Sequence, residues 1–378
     1  MEASRYRLAR LAQAVAGEPS VELRLRERLR EGGGRITFAE FMEVALYDPE
    51  GGYYARIGPG RDFRTAPQTS PAVGHLIGRL LAAMWRALGE PSPFVVVELG
   101  AGDMLLAGDA TGYLRAREPA AAAAIRYLGL DRFAAVAVER SGRPVVTPSG
   151  TARVVADAAA PPLRPGFVGC VLANELFDAL PVHRLIGRRG GAGELWVVEH
   201  AGAFVFEIGE LSAGELAELA GPLRPGQIHD VAPAGAAIVA ALAGALGRGY
   251  FLAIDYGGPA EELRAGHRLD GTLLSYHRHR AHERALDRPG EQDLTAHVDF
   301  SALRRAGELA GLRTAALTTQ AEFLARLGLA DWLGRLDRRR LSAADLFNAR
   351  ARAAELVAPG RLGKLRVLLQ TKQASDPV

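Results

Sequence analysis

Acidic and amide side chains stand directly behind short apolar runs in this sequence. In an open parallel sheet that position is where ligands bind, outside the carboxyl ends of the strands. The run "VVVELGAGD" (95–103) ends in Glu98 and turns through Gly100 and Gly102. "RYLGLD" (126–131) ends in Asp131, and "ARVVAD" (152–157) ends in Asp157 with Ala158 behind it. "FVGCVLANE" (167–175) ends in Asn174 and Glu175, with Asp178 three residues on. "GYFLAID" (249–255) ends in Asp255, followed by Tyr256. Glycines in the first turn let a backbone approach a ligand and present N–H groups to it. Asp131 is placed to accept ribose hydroxyls, and Asp157 to accept the amine of an adenine. A glycine turn alone reads equally as a tight turn with no ligand. The ordered acids behind it make the turn part of a nucleoside site. No phosphate loop with its Lys and Ser/Thr is present, so the site suits a nucleoside without a triphosphate. An acid before the first Gly and a polar turn after the fourth run fit S-adenosylmethionine better than a nicotinamide cofactor.

The elements that must position these residues follow from periodicity. Seven apolar runs, at 94–99, 126–131, 152–157, 167–173, 249–255, 312–318 and 365–371, alternate with helical or loop segments. That alternation predicts an α/β fold with a mostly parallel, seven-stranded sheet covered on both faces. Ahead of it, helical spacing covers 4–16, 20–31 (capped by Ser20) and 36–47, and the strongly amphipathic 70–89 is capped by Ser70. The expected organisation is an N-terminal helical region over 1–92 and a core over 93–378. The core is interrupted by a β-rich insertion at 182–232, with the alternating "ELWVVEH" and "AFVFEIG", and by a polar loop at 268–300. Between 48 and 70 lies an irregular segment whose Tyr53, Tyr54 and Phe63 argue for a functional loop rather than disorder.

Composition narrows the partners. The 378 residues are 48% hydrophobic and 24% charged, which is ordinary for a globular protein. Net charge is only +3, and the Arg residues are dispersed among acids rather than gathered on one face, which argues against nucleic-acid binding. The lone Cys170 sits in an apolar run and reads as core; it rules out a disulfide within the chain. No apolar run reaches the length of a membrane span, and the N-terminus lacks the apolar core of a signal peptide. The expectation is a cytoplasmic protein, with a homodimer left open.

Longer motifs carry a resemblance. "ITFAEFMEVALYDPEGGYY" (36–54), "GRDFRTAPQTSPAVG" (60–74), "VVELGAG" (96–102), "ANELFDALPVHR" (173–184), "DYG" (255–257), "GTLLSYHRHR" (271–280) and "GEQDLTAHVDF" (290–300) resemble the MidA family. These are methyltransferase-like proteins whose eukaryotic members are respiratory complex I assembly factors and protein arginine methyltransferases. The resemblance implies a Rossmann-like class I methyltransferase core that binds S-adenosyl-L-methionine through Glu98, Gly100, Gly102, Asp131, Asp157 and Asn174. It also implies that Asp62, Phe63, Thr65 and Ser70 belong to a loop closing over the cofactor. Two departures stand out: Met104 follows Asp103 where the family continues Gly-x-Gly-x-Gly, and Gln68 replaces a Glu after "TAP".

Methyl transfer to a guanidinium would need carboxylates that grip the cation and orient its nitrogen. Glu175, Asp178 and Asp255 are the catalytic candidates, although Asp178 also reads as a helix cap and Glu175 as a surface acid. Tyr54, Phe63, His183, Tyr256, His279 and His297 are the acceptor-side candidates, His183 serving equally well as packing. His277, His279 and His282 have the density of a metal site, but a loop packed over the pocket is the preferred reading, and no metal is expected. The acceptor is expected to be an arginine on a partner protein. A small-molecule O- or N-methyltransferase and a catalytically weak assembly factor are the alternatives.

Overall fold

Each of the seven apolar runs forms a strand of one sheet: β1 Phe94–Leu99, β2 Ile125–Asp131, β3 Thr151–Val155, β4 Phe167–Asn174, β5 Leu246–Asp255, β6 Arg313–Thr319 and β7 Arg366–Lys372. The computed structural model describes residues 21–57, 62, 64–133, 145–146, 151–158, 161–265, 269–336 and 341–377. The expected helix at 4–16, the Ser20 cap and Phe63 lie outside these residues. The strand order is β6-β7-β5-β4-β1-β2-β3, extended past β3 by a two-residue strand, Val145–Val146. Strands β1 to β5 pair in parallel, and β7 runs antiparallel between β5 and β6. The order reverses between β1 and β4, which opens a crevice at their carboxyl ends.

The central strands read as unbroken apolar runs because both faces are covered. Val96, Cys170, Leu172, Tyr250 and Leu252 pack on one face. Val97, Val171, Ala173, Phe251 and Ala253 pack on the other. Helices α3 (Ala72–Ala87) and α4 (Leu105–Arg117) contribute to the first core, and α5 (Pro233–Ala245) and α6 (Phe300–Leu309) to the second.

The segments outside the sheet share a core of their own. Helices α1 (Val21–Glu31) and α2 (Phe38–Tyr47) pack with Val182 and Val197 of the insertion and with Leu273, Leu294 and Ala296 of the 268–300 segment. Two expectations are corrected here. Residues 36–37 are not helical: Arg35–Thr37 is a strand pairing antiparallel with Gly191–His200 of the insertion. The helix starts at Phe38 because Thr37 and Glu40 form a reciprocal capping box. The 268–300 segment is not a plain loop. It contains a three-stranded sheet of Leu274–His277, Arg280–His282 and Asp293–Thr295, and Val298–Asp299 pairs with Gly257–Gly258 behind β5.

A buried ion pair joins insertion to segment. Asp230 accepts from Arg184 Nε at 2.9 Å and from the backbone N–H groups of Thr272 at 2.6 Å and Leu273 at 3.0 Å. Arg184 donates onward to the carbonyl of Asp270 at 2.9 Å. Removing one member of such a pair leaves an uncompensated buried charge. Asp230→Ala is therefore expected to cost about 3–5 kcal/mol of stability in denaturant titration, and an unchanged midpoint would refute the clamp.

Candidate active site

Leu99 of β1 and Ala173 of β4 are register partners, so the turns that follow them meet at the reversal point. Gly100 and Gly102 take left-handed φ values of 63° and 50°. A Cβ on Gly100 would lie 2.8 Å from Leu176 Cδ1, the movable end of that side chain, so it is the left-handed φ that favours glycine at this turn. The Gly102 N–H donates to Asp131 Oδ2 at 2.9 Å, while Asp131 Oδ1 accepts from the Phe133 N–H at 2.9 Å. The acid after β2 is thereby locked beside the glycine turn. Met104 also takes a left-handed φ of 62°, the conformation a third glycine would supply without strain. Its side chain fills space over Gly129, where an added Cβ would lie 2.1 Å from Sδ. The departure from the family pattern keeps a left-handed residue at this place and puts a thioether between the turn and β2.

The other cofactor-side candidates are distributed as follows. Glu98 is only 4% exposed and accepts from Tyr127 Oη at 2.8 Å, a side-chain link between β1 and β2. Burial pushes it up to about 8. Asp157 is half-exposed and pairs with Arg132 Nε at 3.1 Å; Ala158 follows, partly buried against the sheet. Asn174 donates to Glu175 Oε1 at 3.2 Å. Asn174 Oδ1 and Glu175 Oε2 are buried with no hydrogen-bond partner among the described residues. Such orphaned acceptors require a donor from a ligand or water, and they lie beside the glycine turn. The residue types and these orphaned atoms fit a nucleoside carrying a cationic amino-acid tail.

Beyond β4 the chain turns sharply. Glu175 has φ 51°, and its Oε1 accepts the Ala66 N–H at 2.7 Å, tying the 62–70 segment to the sheet end. Burial pushes Glu175 up to about 8. Asp178, 8% exposed, is raised well above its ordinary value by burial and by the charges of Asp255, Glu175 and Asp293. Asp255 is corrected as a substrate-facing group. It is 0% exposed and accepts the N–H groups of Leu176 at 3.0 Å, Phe177 at 2.7 Å and Tyr256 at 2.7 Å. Its oxygens hold backbone and set the turn that carries Glu175 and Asp178.

Sequence reasoning missed Asp293. Its carboxylate accepts from Tyr54 Oη at 2.7 Å, and burial pushes it up to about 7. The charges of Asp178 and Asp293 act on Tyr54 and Tyr276, and those of Glu175 and Asp178 act on Tyr256, so these groups form one cluster. Asp293 lies in "GEQDLTAHVDF", which was the available signal. Tyr53 Oη donates to Asp62 Oδ2 at 3.1 Å.

Several candidates hold structure instead. Ser70 is buried, and its hydroxyl accepts the Ala72 N–H at 3.3 Å at the start of α3. Thr65 precedes the short helix Ala66–Thr69, and its N–H donates to Gln68 Oε1 at 3.3 Å, so the departure at Gln68 leaves an acceptor at the helix start. His183 Nδ1 is 2.7 Å from the buried Glu194, which fixes the ring at the first strand of the insertion. His279 is exposed at a two-residue hairpin tip with left-handed φ 63°, away from the buried cluster. His297 is half-buried, and its N–H donates to Thr272 Oγ1 at 3.0 Å, next to the Val298–Tyr256 contact. His277 hydrogen-bonds the Glu291 carbonyl at 3.0 Å and Arg288 at 3.0 Å.

A sheet of this order, with a glycine turn and an acid at successive strand ends, defines an S-adenosyl-L-methionine-dependent methyltransferase of class I. The chain matches the family model for S-adenosyl-L-methionine-dependent methyltransferases of the MidA type over residues 76–318, and it belongs to that family. It is 30% identical to the protein arginine methyltransferase NDUFAF7 homolog, mitochondrial, of Drosophila melanogaster, over 79% of this chain and 72% of that protein. It is also 30% identical to the human protein arginine methyltransferase NDUFAF7, mitochondrial, over 78% of this chain and 70% of that protein. The crystal structure of a family member from Burkholderia thailandensis, bound to S-adenosyl-homocysteine, superposes with a TM-score of 0.79 at 30% identity and covers 97% of this chain and 94% of that one. A native crystal structure of a superfamily member from the same organism gives a TM-score of 0.80 with the same coverage. The cofactor is S-adenosyl-L-methionine. The expectation of a cytoplasmic protein is corrected by these relatives, whose names are mitochondrial. No helix among the described residues is long and apolar enough to cross a membrane.

Glu98 gives this site a pH signature. Its pKa rises from an ordinary 4.5 to about 8 on folding, so between those values the folded state keeps a proton that the unfolded chain has lost. Stability is therefore lost as pH rises through that window. Glu98→Gln keeps an acceptor for Tyr127 and removes the titration. The melting temperature of the variant is expected to gain on wild type steadily from about pH 5 to about pH 8; a pH-independent difference would contradict the assignment.

Proposed function

We propose that this methyltransferase modifies the guanidinium of an arginine on a partner protein. The observation that carries the reading is the cluster of Glu175, Asp178 and Asp293. Among the described residues no ion pair joins any of the three to an Arg, Lys or His side chain. Crowded buried carboxylates disfavour one another's ionisation, and a cation entering among them relieves both desolvation and repulsion. An acceptor carrying that cation completes the site. The tyrosine wall of Tyr54, Tyr256 and Tyr276 suits a planar cation, which gains from aromatic faces as well as from acids. The names of the curated relatives support a protein arginine over a small molecule.

S-adenosyl-L-methionine supplies an activated methyl group, so the chain's own residues need only bind, orient and deprotonate. Gly100, Gly102, Asp131, Asp157 and Asn174 hold the cofactor. Glu175 and Asp178 grip the guanidinium and aim one nitrogen at the methyl group. As the nitrogen bonded to the methyl carbon, the methyl–sulfur bond of the sulfonium would break, S-adenosyl-homocysteine would leave as the neutral thioether, and the proton shed by the nitrogen would pass to the carboxylate of Asp178. Asp255 is a positioning residue that acts through the turn. The N-terminal region with Tyr54, the insertion and the 268–300 segment form the wall and lid of the acceptor pocket, and His183 and His297 hold that wall in shape.

Incubation of the enzyme with labelled S-adenosyl-L-methionine and a lysate of its host is expected to put label into protein as methylarginine. Label confined to small molecules would overturn the acceptor class. Glu175→Gln should cut transfer by at least about a hundred-fold while S-adenosyl-homocysteine affinity in calorimetry stays near wild type. Equal activity would remove Glu175 from the mechanism.

A further inference from the structure

The residue after the ribose-side acid makes contacts that the reaction as described does not use. Arg132 donates from Nε to Asp157 at 3.1 Å and from Nη2 to Glu43 at 2.8 Å. Its guanidinium carbon lies 4.8 Å from the centre of the Tyr47 ring. Tyr47 is stacked on its other neighbour, Phe133, at 6.4 Å and 11°. One planar side chain thus serves two carboxylates and an aromatic face, with donors set in a fixed fork that the ammonium of Lys does not offer.

Glu43 and Tyr47 both lie on α2, and α2 leads to the acceptor side. Tyr47 Oη donates to the carbonyl of Ala179 at 2.8 Å, next to Asp178. Its ring is 5.4 Å from that of Tyr54, whose hydroxyl is held by Asp293 at 2.7 Å. The contacts run without a break from Asp157, at the end of β3, to the carboxylate cluster beyond β4.

We infer that Arg132 is a positioning residue that fastens the acceptor wall, α2 with Tyr47 and Tyr54, to the adenine-side acid of the cofactor site. The inference rests on the assignment of Asp131 and Asp157 to cofactor binding. A ligand that fixes Asp157 fixes Arg132, and Arg132 in turn steadies α2. Coupling of this kind is reciprocal, so the acceptor binds more tightly once the cofactor is in place. The link is half-exposed and made of few contacts, so it biases the wall without being needed for folding.

Hydrogen exchange read by mass spectrometry tests this with S-adenosyl-homocysteine as a non-reacting ligand. In the wild type, bound ligand is expected to slow exchange across residues 38–57 by about five-fold or more. In Arg132→Ala the ligand should bind within about five-fold of wild-type affinity, yet leave exchange over that stretch unchanged. Arg132→Lys keeps a cation near Asp157 and should also lose the protection. Glu43→Ala breaks the link from the α2 side at a residue remote from the glycine turn, so it carries the test if the Arg132 variants fold poorly. Wild-type protection persisting in Arg132→Ala or Glu43→Ala overturns the inference, as does ligand binding to the wild type with no protection of 38–57. Absence of any binding to the wild type overturns the cofactor assignment and the inference with it, which separates the two failures.

Discussion

The carboxylate of Asp255, wholly buried at the end of β5, accepts the backbone N–H groups of Leu176 and Phe177 on one oxygen and that of Tyr256 on the other. The chain leaving β4 has no sheet partner at this point, and its N–H groups would be orphaned inside the protein. A buried donor without a partner costs free energy comparable to a lost hydrogen bond, and a carboxylate answers several donors at once. With the Glu175 N–H given to the Ile254 carbonyl at 2.8 Å, the turn has little freedom left. Glu175 is held in a left-handed conformation that a non-glycine residue adopts only when its surroundings impose it. Its carboxylate can then reach across to the Ala66 N–H, and Asp178 comes to rest against Asp255.

That clamp explains why two remote segments are needed to finish the site. The sheet end supplies Glu175 and Asp178, but their partners arrive from outside the Rossmann-like core. Tyr47 and Tyr54 come from the N-terminal region, and Asp293 and Tyr276 come from the segment after β5. Those segments hold one another through a shared apolar core and through the Arg184–Asp230 pair. They share an apolar cluster separate from the two that cover the faces of the sheet. Arg132, the Ala66–Glu175 contact and the Tyr47–Ala179 hydrogen bond are among the polar links between that wall and the sheet.

Much of this was legible in the sequence wherever a local pattern was sufficient. The seven strands were found because a sheet buried on both faces leaves continuous apolar runs, and the acids at their ends followed from the geometry of parallel sheets. The strand Arg35–Thr37 was hidden because its partner, Gly191–His200, lies far along the chain, although the Thr37–Glu40 capping box marked the true helix start. The short strands of 268–300 are built from polar residues whose pairing is set by the wall rather than by alternation. Asp255 looked catalytic because it ends a strand, and only coordinates reveal that its lone pairs are already taken. Asp293 was read as one letter of a motif, since nothing local says that a Tyr 239 positions earlier will hold it.

The raised pKa values of Glu175 and Asp293 follow from that assembly, and they bear on selectivity. An isolated cluster of buried acids is poised near neutrality, partly protonated and partly charged, and a neutral acceptor would leave it so. A cation changes the balance, because each carboxylate it approaches gains an opposite charge within a desolvated space. An ammonium offers a compact charge that one acid can satisfy. A guanidinium spreads its charge over a plane with five donors and can engage acids on different elements at once. Here Glu175 and Asp178 come from the β4 turn and Asp293 from the far wall, with tyrosine rings among them. That distribution of acceptors matches a fork better than a point, so the same interactions that make the empty cluster costly are the ones that would distinguish arginine from lysine.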